Sequence, residues 1–223
     1  MPEIKERPIL FSAPMVRAIL EGRKTVTRRP IKPSMRGFDV SFELHQQDDG
    51  SWRPMHTFDE SCMDDQGTEH PIACPYGQPG DQLWVRESLG YDCEYGHYFA
   101  AGGKHGETVY LCSLFDDEDA QTGPSYDGLL PERSVPSIHL HRRYSRILLE
   151  ITDVRVERLQ DITPDQAIAE GIRPADDGFF EVDKNVLVGA DPRESFEMLW
   201  QSTGGDWNAN PWVWVVEFRR VQP

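Results

Sequence analysis

The sequence holds no apolar run near the roughly 20 residues that a membrane-spanning helix requires, so no membrane partner is expected. Its first residues, Met1 to Arg7, are polar and lead only into a short apolar patch. That is not the pattern of a secretory signal, and a cytoplasmic location is expected. Cysteine is scarce: Cys62, Cys74, Cys93 and Cys112 form no C-x-x-C pair, so free thiols are expected rather than a disulfide framework. Cys62, His70 and Cys74 are irregularly spaced and lack a fourth ligand of the kind a closed zinc site needs, so no metal is expected. No internal repeat, interdomain linker or cofactor motif is visible, and no cofactor is expected. Positive charge is also in short supply. At a net charge of −15, the chain lacks the Lys and Arg surplus that displaces counterions from a nucleic-acid backbone, so long duplex DNA is a poor partner.

What is present describes an ordinary folded domain. The 223 residues are 38% hydrophobic and 27% charged, and ten Phe and six Trp argue against global disorder. The length suits one large domain with a proper core. Charge is segregated: residues 1–36 hold nine Lys or Arg against three Asp or Glu, on an otherwise acidic body. A concentrated basic segment of this kind suggests a small anion site rather than a broad nucleic-acid groove.

Residues 8–22 read as an entry strand and a first helix, with Ser12 as N-cap, Pro14 in the first turn and Gly22 as terminator. Residues 23–30 read as a strand stopped by Pro30. Residues 31–80 read as a long irregular insertion with one hairpin, and 91–136 as a second, largely acidic insertion with weak strands at 97–101 and 108–113. Strands are expected at 82–88 and 145–159, the latter continuous or joined by a bulge, and at 212–221. Thr163-Pro164-Asp165-Gln166 and Asp191-Pro192-Arg193-Glu194 read as capping boxes opening two helices, the first ended by Gly171. Helices and strands without βαβ alternation indicate an α+β fold, and a small barrel with flanking helices fits.

The segment from Glu21 to Arg29 is the richest in chemistry. A helix-ending glycine is followed by Arg23, Lys24, Thr25, Thr27, Arg28 and Arg29, a set that can form an anion-binding concavity with turn N–H groups. Thr25 or Thr27 can supply a nucleophilic hydroxyl if a base stands nearby. The plainer alternative is an ordinary β-branched strand with solvated basic side chains. In an ideal strand, residues 24 and 27 face opposite ways, so Lys24 and Thr27 can converge only across a turn or bulge.

Five segments, ILEGRKTVTRR, LWVRES after Pro79-Gly80-Asp81, RILLEITDVRVERL, ITPDQAIAEGI and NPWVWVVEF, together resemble the ASCH family, closest to its phage- and prophage-borne branch with a large insertion. The resemblance is weakest at residues 33–72 and 91–132. It implies a PUA-like small β-barrel, a frame used for RNA binding. Among relatives it implies two activities, an amidohydrolase that deacetylates acetylcytidine and a ribonuclease. By position, Lys24 matches the base, Thr27 the nucleophile and Glu170 the helix glutamate of the amidohydrolase. For Glu170 the alternative is a plain last-turn helix residue. Ser145 and Arg146 match a Ser-Arg pair found in relatives, and Tyr144 stands where they often carry Trp. Arg86 can hold an anionic or carbonyl group and Trp84 can offer a stacking face, though Trp84 is equally readable as core. His139 and His141 lie in the same basic stretch and read more readily as surface or packing residues.

Three functions are expected in competition: a hydrolase acting on a modified nucleoside or RNA, a non-enzymatic reader of RNA or a nucleoside-like ligand, and a phage accessory protein that binds a host protein.

Overall fold

The computed structural model describes residues 4–32, 42–56, 71–114, 130–184 and 186–221. Within them the chain runs β1 (Glu6–Leu10), α1 (Ala13–Leu20), β2 (Val26–Pro30), β3 (Phe42–Gln46), β4 (Trp52–His56), β5 (Gln82–Arg86), β6 (Leu89–Asp92), β7 (Gly96–Phe99), β8 (Leu148–Arg158), α2 (Pro164–Ala169), β9 (Arg173–Pro174), β10 (Phe180–Glu181), α3 (Pro192–Ser202) and β11 (Trp212–Val221). The fold is α+β, as the mixed element order indicates.

One five-stranded sheet, in the order β1-β5-β8-β11-β2, carries the core. Only β1 and β5 run parallel; every other neighbouring pair is antiparallel. β8 and β11 are long because the β-branched residues of both, and the aromatics of β11, suit a pleated surface; Val213 to Val216 of β11 are buried on both faces. Their ladder shifts register where Asp153 faces Glu217 but Ile151 faces Phe218, leaving Thr152 as the extra residue of a bulge. Leu83, Leu149, Val213 and Val215 on the sheet, Val16 and Ile19 of α1, Ala167 of α2 and Phe196 of α3 share one buried cluster.

The sheet does not close. β1 and β2 are its two edges, and no ladder joins them. Among the described residues a side-chain bond bridges the gap, from Arg29 Nη2 to the Leu10 carbonyl at 2.7 Å. The expected barrel is therefore an open mixed sheet among the described residues.

Several local expectations need correction. β2 begins at Val26, not residue 23, because residues 21–25 form the turn out of α1. Ser12 holds the N-cap position of α1 but its side chain makes no capping bond. Thr163 and Gln166 close a reciprocal capping box on α2, worth about 1 kcal/mol. On α3, by contrast, Asp191 caps Arg193 N while Glu194 reaches the N–H of Ala190, one residue too early for the reciprocal bond. The first insertion does contain the expected hairpin, β3–β4. The second holds a hairpin, β6–β7, while residues 108–113 give only an isolated bridge from Tyr110 to Tyr98. This second insertion packs with its flanks into a separate core, in which Phe99, Leu111 and Val135 meet Leu89, Leu140 and Tyr144. The acidic run at 116–119 lies outside the described residues.

Gly171 closes α2 with φ +108°, and a Cβ placed there would stand 3.1 Å from the Ala18 Cβ and 3.4 Å from the Lys24 Cβ. Backbone conformation and close approach both require glycine at this crossing of α1 and α2. Gly171→Ala is expected to lower unfolding free energy by about 1–2 kcal/mol, read as a shift in urea midpoint at unchanged m-value.

Candidate functional site

The basic segment after α1 occupies the point where two helices end. The N–H groups of Arg23 and Lys24 both donate to the Ala18 carbonyl, at 2.9 and 3.0 Å, and that of Thr25 donates to the Ala169 carbonyl of α2 at 2.9 Å. Arg23 reaches the Gly171 carbonyl with Nη1 and the Glu21 carboxylate with Nε. Carbonyls at a helix C-terminus lack intrahelical donors and carry partial negative charge, so a run of cations and N–H groups belongs there. The turn is therefore not an anion nest: its Arg23, Lys24 and Thr25 amides already serve the two helix ends.

Lys24 continues this pattern with its side chain. Its ammonium donates to the Val26 carbonyl (2.8 Å), the Glu170 carbonyl (2.8 Å) and Glu170 Oε2 (2.7 Å), using all three N–H bonds. Glu170 is the C-cap of α2, where a negative charge opposes the helix dipole; Lys24 offsets it. Arg28 adds a second cation. Its Nη1 lies 3.4 Å from Glu170 Oε1, and its Nη2 bonds Glu157 Oε2 (3.0 Å) and Gln166 Oε1 (2.9 Å). Gln166 Oε1 also accepts from the Thr163 N–H at 2.9 Å, so the α2 capping box helps orient Arg28. The side chains of Lys24, Glu170 and Arg28 are 2%, 4% and 0% exposed, so this cluster works without water screening. Burial pushes the Lys24 ammonium below its ordinary pKa of 10.5. The Glu170 carboxylate pulls it back up, and the charges of Arg29 and Arg28 add to the depression.

The cluster forms the floor of a cleft of about 880 Å³ that lies in the gap between the two sheet edges. Leu10 and Phe11 flank it from the β1 side and Thr27 to Pro30 from β2. Thr27 is buried, at 4% exposure, and among the described residues no group hydrogen-bonds its hydroxyl. Lys24 and Thr27 reach one cleft because Lys24 belongs to the turn and Thr27 to the strand, which removes the period-two conflict. Phe11, Tyr76, Trp200 and Trp214 give the cleft apolar walls. The sequence did not mark these four. Trp214 reads as barrel-wall core, and only its register opposite Arg29 brings it to the cleft.

Five of the expected site residues, Lys24, Thr27, Arg28, Arg29 and Glu170, line this cleft; the other six do not. Arg23 is occupied at the helix ends, and Thr25 is exposed beyond the strand start. Trp84 sits half-buried on β5 with the Arg86 guanidinium 5.2 Å from its ring, and Arg86 bonds the Leu140 carbonyl. Ser145 Oγ donates to the Val85 carbonyl at 2.8 Å, a strand-bracing bond. Arg146 pairs bidentately with Glu87 (3.0 and 2.7 Å), donates to the Gly102 carbonyl and stacks 4.0 Å from the Phe99 ring. The last four brace the second insertion and its strands. Cys62 and His70 lie outside the described residues, and Cys74 is a half-buried free thiol. Among the described residues, no group of three or more His, Cys, Asp or Glu is arranged to hold a metal ion.

Two outcomes test these assignments. Arg146→Met strands the Glu87 carboxylate, whose side chain is 1% exposed, and is expected to cost about 3–5 kcal/mol in denaturant melts; Arg146→Met with Glu87→Leu should recover most of it. A lysine with a depressed folded pKa binds fewer protons folded than unfolded. Its contribution to stability therefore rises with pH between the folded value and 10.5. In thermal melts, the wild-type chain should gain on Lys24→Met as pH climbs through the alkaline range towards 10.5, and a constant gap would contradict the depressed value.

Compared with protein-family profiles, curated proteins and solved structures, the chain matches none.

Proposed function

We propose that the cleft is the active site of an ASCH-type hydrolase that cleaves an acyl amide on a modified nucleoside, carried on a PUA-like frame left open between β1 and β2. The observation that supports this most is the meeting of the buried side chains of Lys24, Thr27 and Glu170 at one cleft, although 146 positions separate Lys24 from Glu170. A polar cluster with an apolar-walled cavity of this size is the usual makeup of a small-molecule site.

The chemistry needs a neutral amine beside the threonine. Burial already works against the charged lysine, and Glu170 Oε2 stands 2.7 Å away to receive its proton. With that proton on the carboxyl, the Lys24 amine takes the Thr27 hydroxyl proton as Oγ1 attacks the acyl carbonyl carbon. The buried Arg28 guanidinium, whose Nε has no acceptor, supplies positive charge to the oxyanion that forms. Collapse breaks the C–N bond, and the leaving amine takes the proton from the Glu170 carboxyl. Water then hydrolyses the acyl ester on Thr27, releasing the carboxylic acid and restoring the hydroxyl. Phe11, Tyr76 and Trp214 offer flat surfaces against which a base can pack.

One observation favours a second reading, a reader that binds such a ligand without turnover. Every Lys24 N–H bond is already taken by the protein, an arrangement that serves structure as well as chemistry.

Acetylcytidine and a short single-stranded RNA, incubated separately with the protein and followed by chromatography, distinguish the two. The hydrolase reading expects release of cytidine, with Thr27→Ala slowing it by about a hundredfold or more while the fold is retained. No turnover on either substrate, together with salt-dependent RNA binding, would transfer the assignment to the reader.

A further inference from the structure

The cleft is the opposite of the chain in charge. The whole protein carries −15, yet among the described residues the cleft is lined by Lys24, Arg28, Arg29 and Lys32 against one carboxylate, that of Glu170. That carboxylate is already committed to Lys24 and Arg28, which leaves Arg29 and Lys32 without acidic partners among the described residues. Arg29 is fixed in place. Its Nη2 is tied to the Leu10 carbonyl at 2.7 Å, and its guanidinium carbon lies 5.4 Å from the Phe11 ring centroid. Its Nε is buried with no acceptor, and so is the indole N–H of Trp200, which is 8% exposed on the α3 side of the same cleft. An unpaired buried donor costs about 1–3 kcal/mol, so these two together with the Arg28 Nε, three beside one cleft, call for an acceptor-rich ligand.

Position along β2 adds direction. Thr27 and Arg29 are opposite Val216 and Trp214 in the ladder, on one face, two residues apart and so about 7 Å along the strand. Lys32 follows beyond the strand's end at Pro30 and is exposed at the cleft. The reactive hydroxyl and the uncommitted cations are thus displaced from each other along the cleft, with Trp214 beside Arg29 between its walls.

We propose that the ligand of this cleft is a nucleoside monophosphate, whose phosphate is held by Arg29 and Lys32 while its base end faces Thr27. This rests on the reading of the cleft as a modified-nucleoside site and narrows it from nucleoside or RNA to a phosphorylated monomer. The acidic body disfavours a long polyanion, whereas one phosphate needs only the local field of the cleft. Arginine and lysine suit the phosphate, and the Phe11 ring, 5.5 Å from Lys24 Nζ and 5.4 Å from the Arg29 guanidinium carbon, gives the base a flat face between the two ends.

Titration calorimetry of the intact protein with cytidine, cytidine 5′-monophosphate and inorganic phosphate tests it. The monophosphate is expected to bind about tenfold or more tightly than cytidine, the effect of one charge-assisted hydrogen bond. Inorganic phosphate should compete with it, and raised salt should erode the preference. Lys32→Gln, at an exposed position, should reduce the preference, and Arg29→Gln should abolish it. Equal binding of nucleoside and monophosphate, a preference untouched by both substitutions, or no binding of either ligand would overturn the proposal. Selective binding of the monophosphate without any turnover would leave the phosphate site standing and remove the hydrolase reading alone. Turnover of acetylcytidine without that selectivity would do the reverse.

Discussion

The three bonds of the Lys24 ammonium hold the structure's functional half together. One secures the Val26 carbonyl of an edge strand, one the final carbonyl of α2, and one the carboxylate that α2 places against its own dipole. Each alone is a modest interaction. Together they fix how β2, α1 and α2 meet, because Lys24 also gives its backbone N–H to the Ala18 carbonyl of α1. Placing Gly171 in the left-handed region lets α2 end close enough for this, and its hydrogen atom faces the Lys24 Cβ. A cleft floor built in this way is rigid at its polar end, which is the condition for electrostatic preorganisation.

Such a floor is costly, since two cations and a carboxylate leave water together. Pairing offsets desolvation only when geometry and further hydrogen bonds are good. The chain meets that condition by extending the network outward. Arg28 bonds Glu157, Glu157 bonds Arg155 at 2.6 Å, and Arg155 continues to Asp153 at 3.0 Å and to Glu217 on the neighbouring strand. Charge is therefore passed from the buried centre towards the half-exposed sheet surface through alternating signs. Arg146 and Glu87, which flank the second insertion, solve the same problem with a bidentate pair whose side chains are almost fully buried.

Local signals in the sequence were reliable where one segment decides the outcome. Thr163 and Gln166 announce α2 by their own capping chemistry, β11 is legible from its run of Val, Trp and Phe, and β8 from aliphatic and β-branched residues alternating with charged ones. The cleft was legible only in part. Lys24, Thr27 and Glu170 were marked, but how a turn reconciles Lys24 with Thr27 depends on the ends of two helices far apart in sequence. What escaped entirely are relations that no local pattern encodes. The parallel pairing of Glu6 with Gln82 spans the first insertion, Phe11 and Trp200 join one wall through tertiary packing, and Arg146 finds Glu87 across 59 positions. A basic residue such as Arg23 or Arg146 looks the same in sequence whether it serves a ligand, a helix end or a buried carboxylate.

The open sheet has a further consequence. An unpaired edge strand is an invitation to another chain, and β2 lies at such an edge beside a cavity. The Lys24 ammonium occupies the Val26 carbonyl, and Pro30, lacking an N–H, ends the strand. The buried Lys24 ammonium thus also stands against strand addition at that carbonyl. A chain that docked along β2 would find the Val26 carbonyl already held by a buried cation and no N–H to accept from at Pro30.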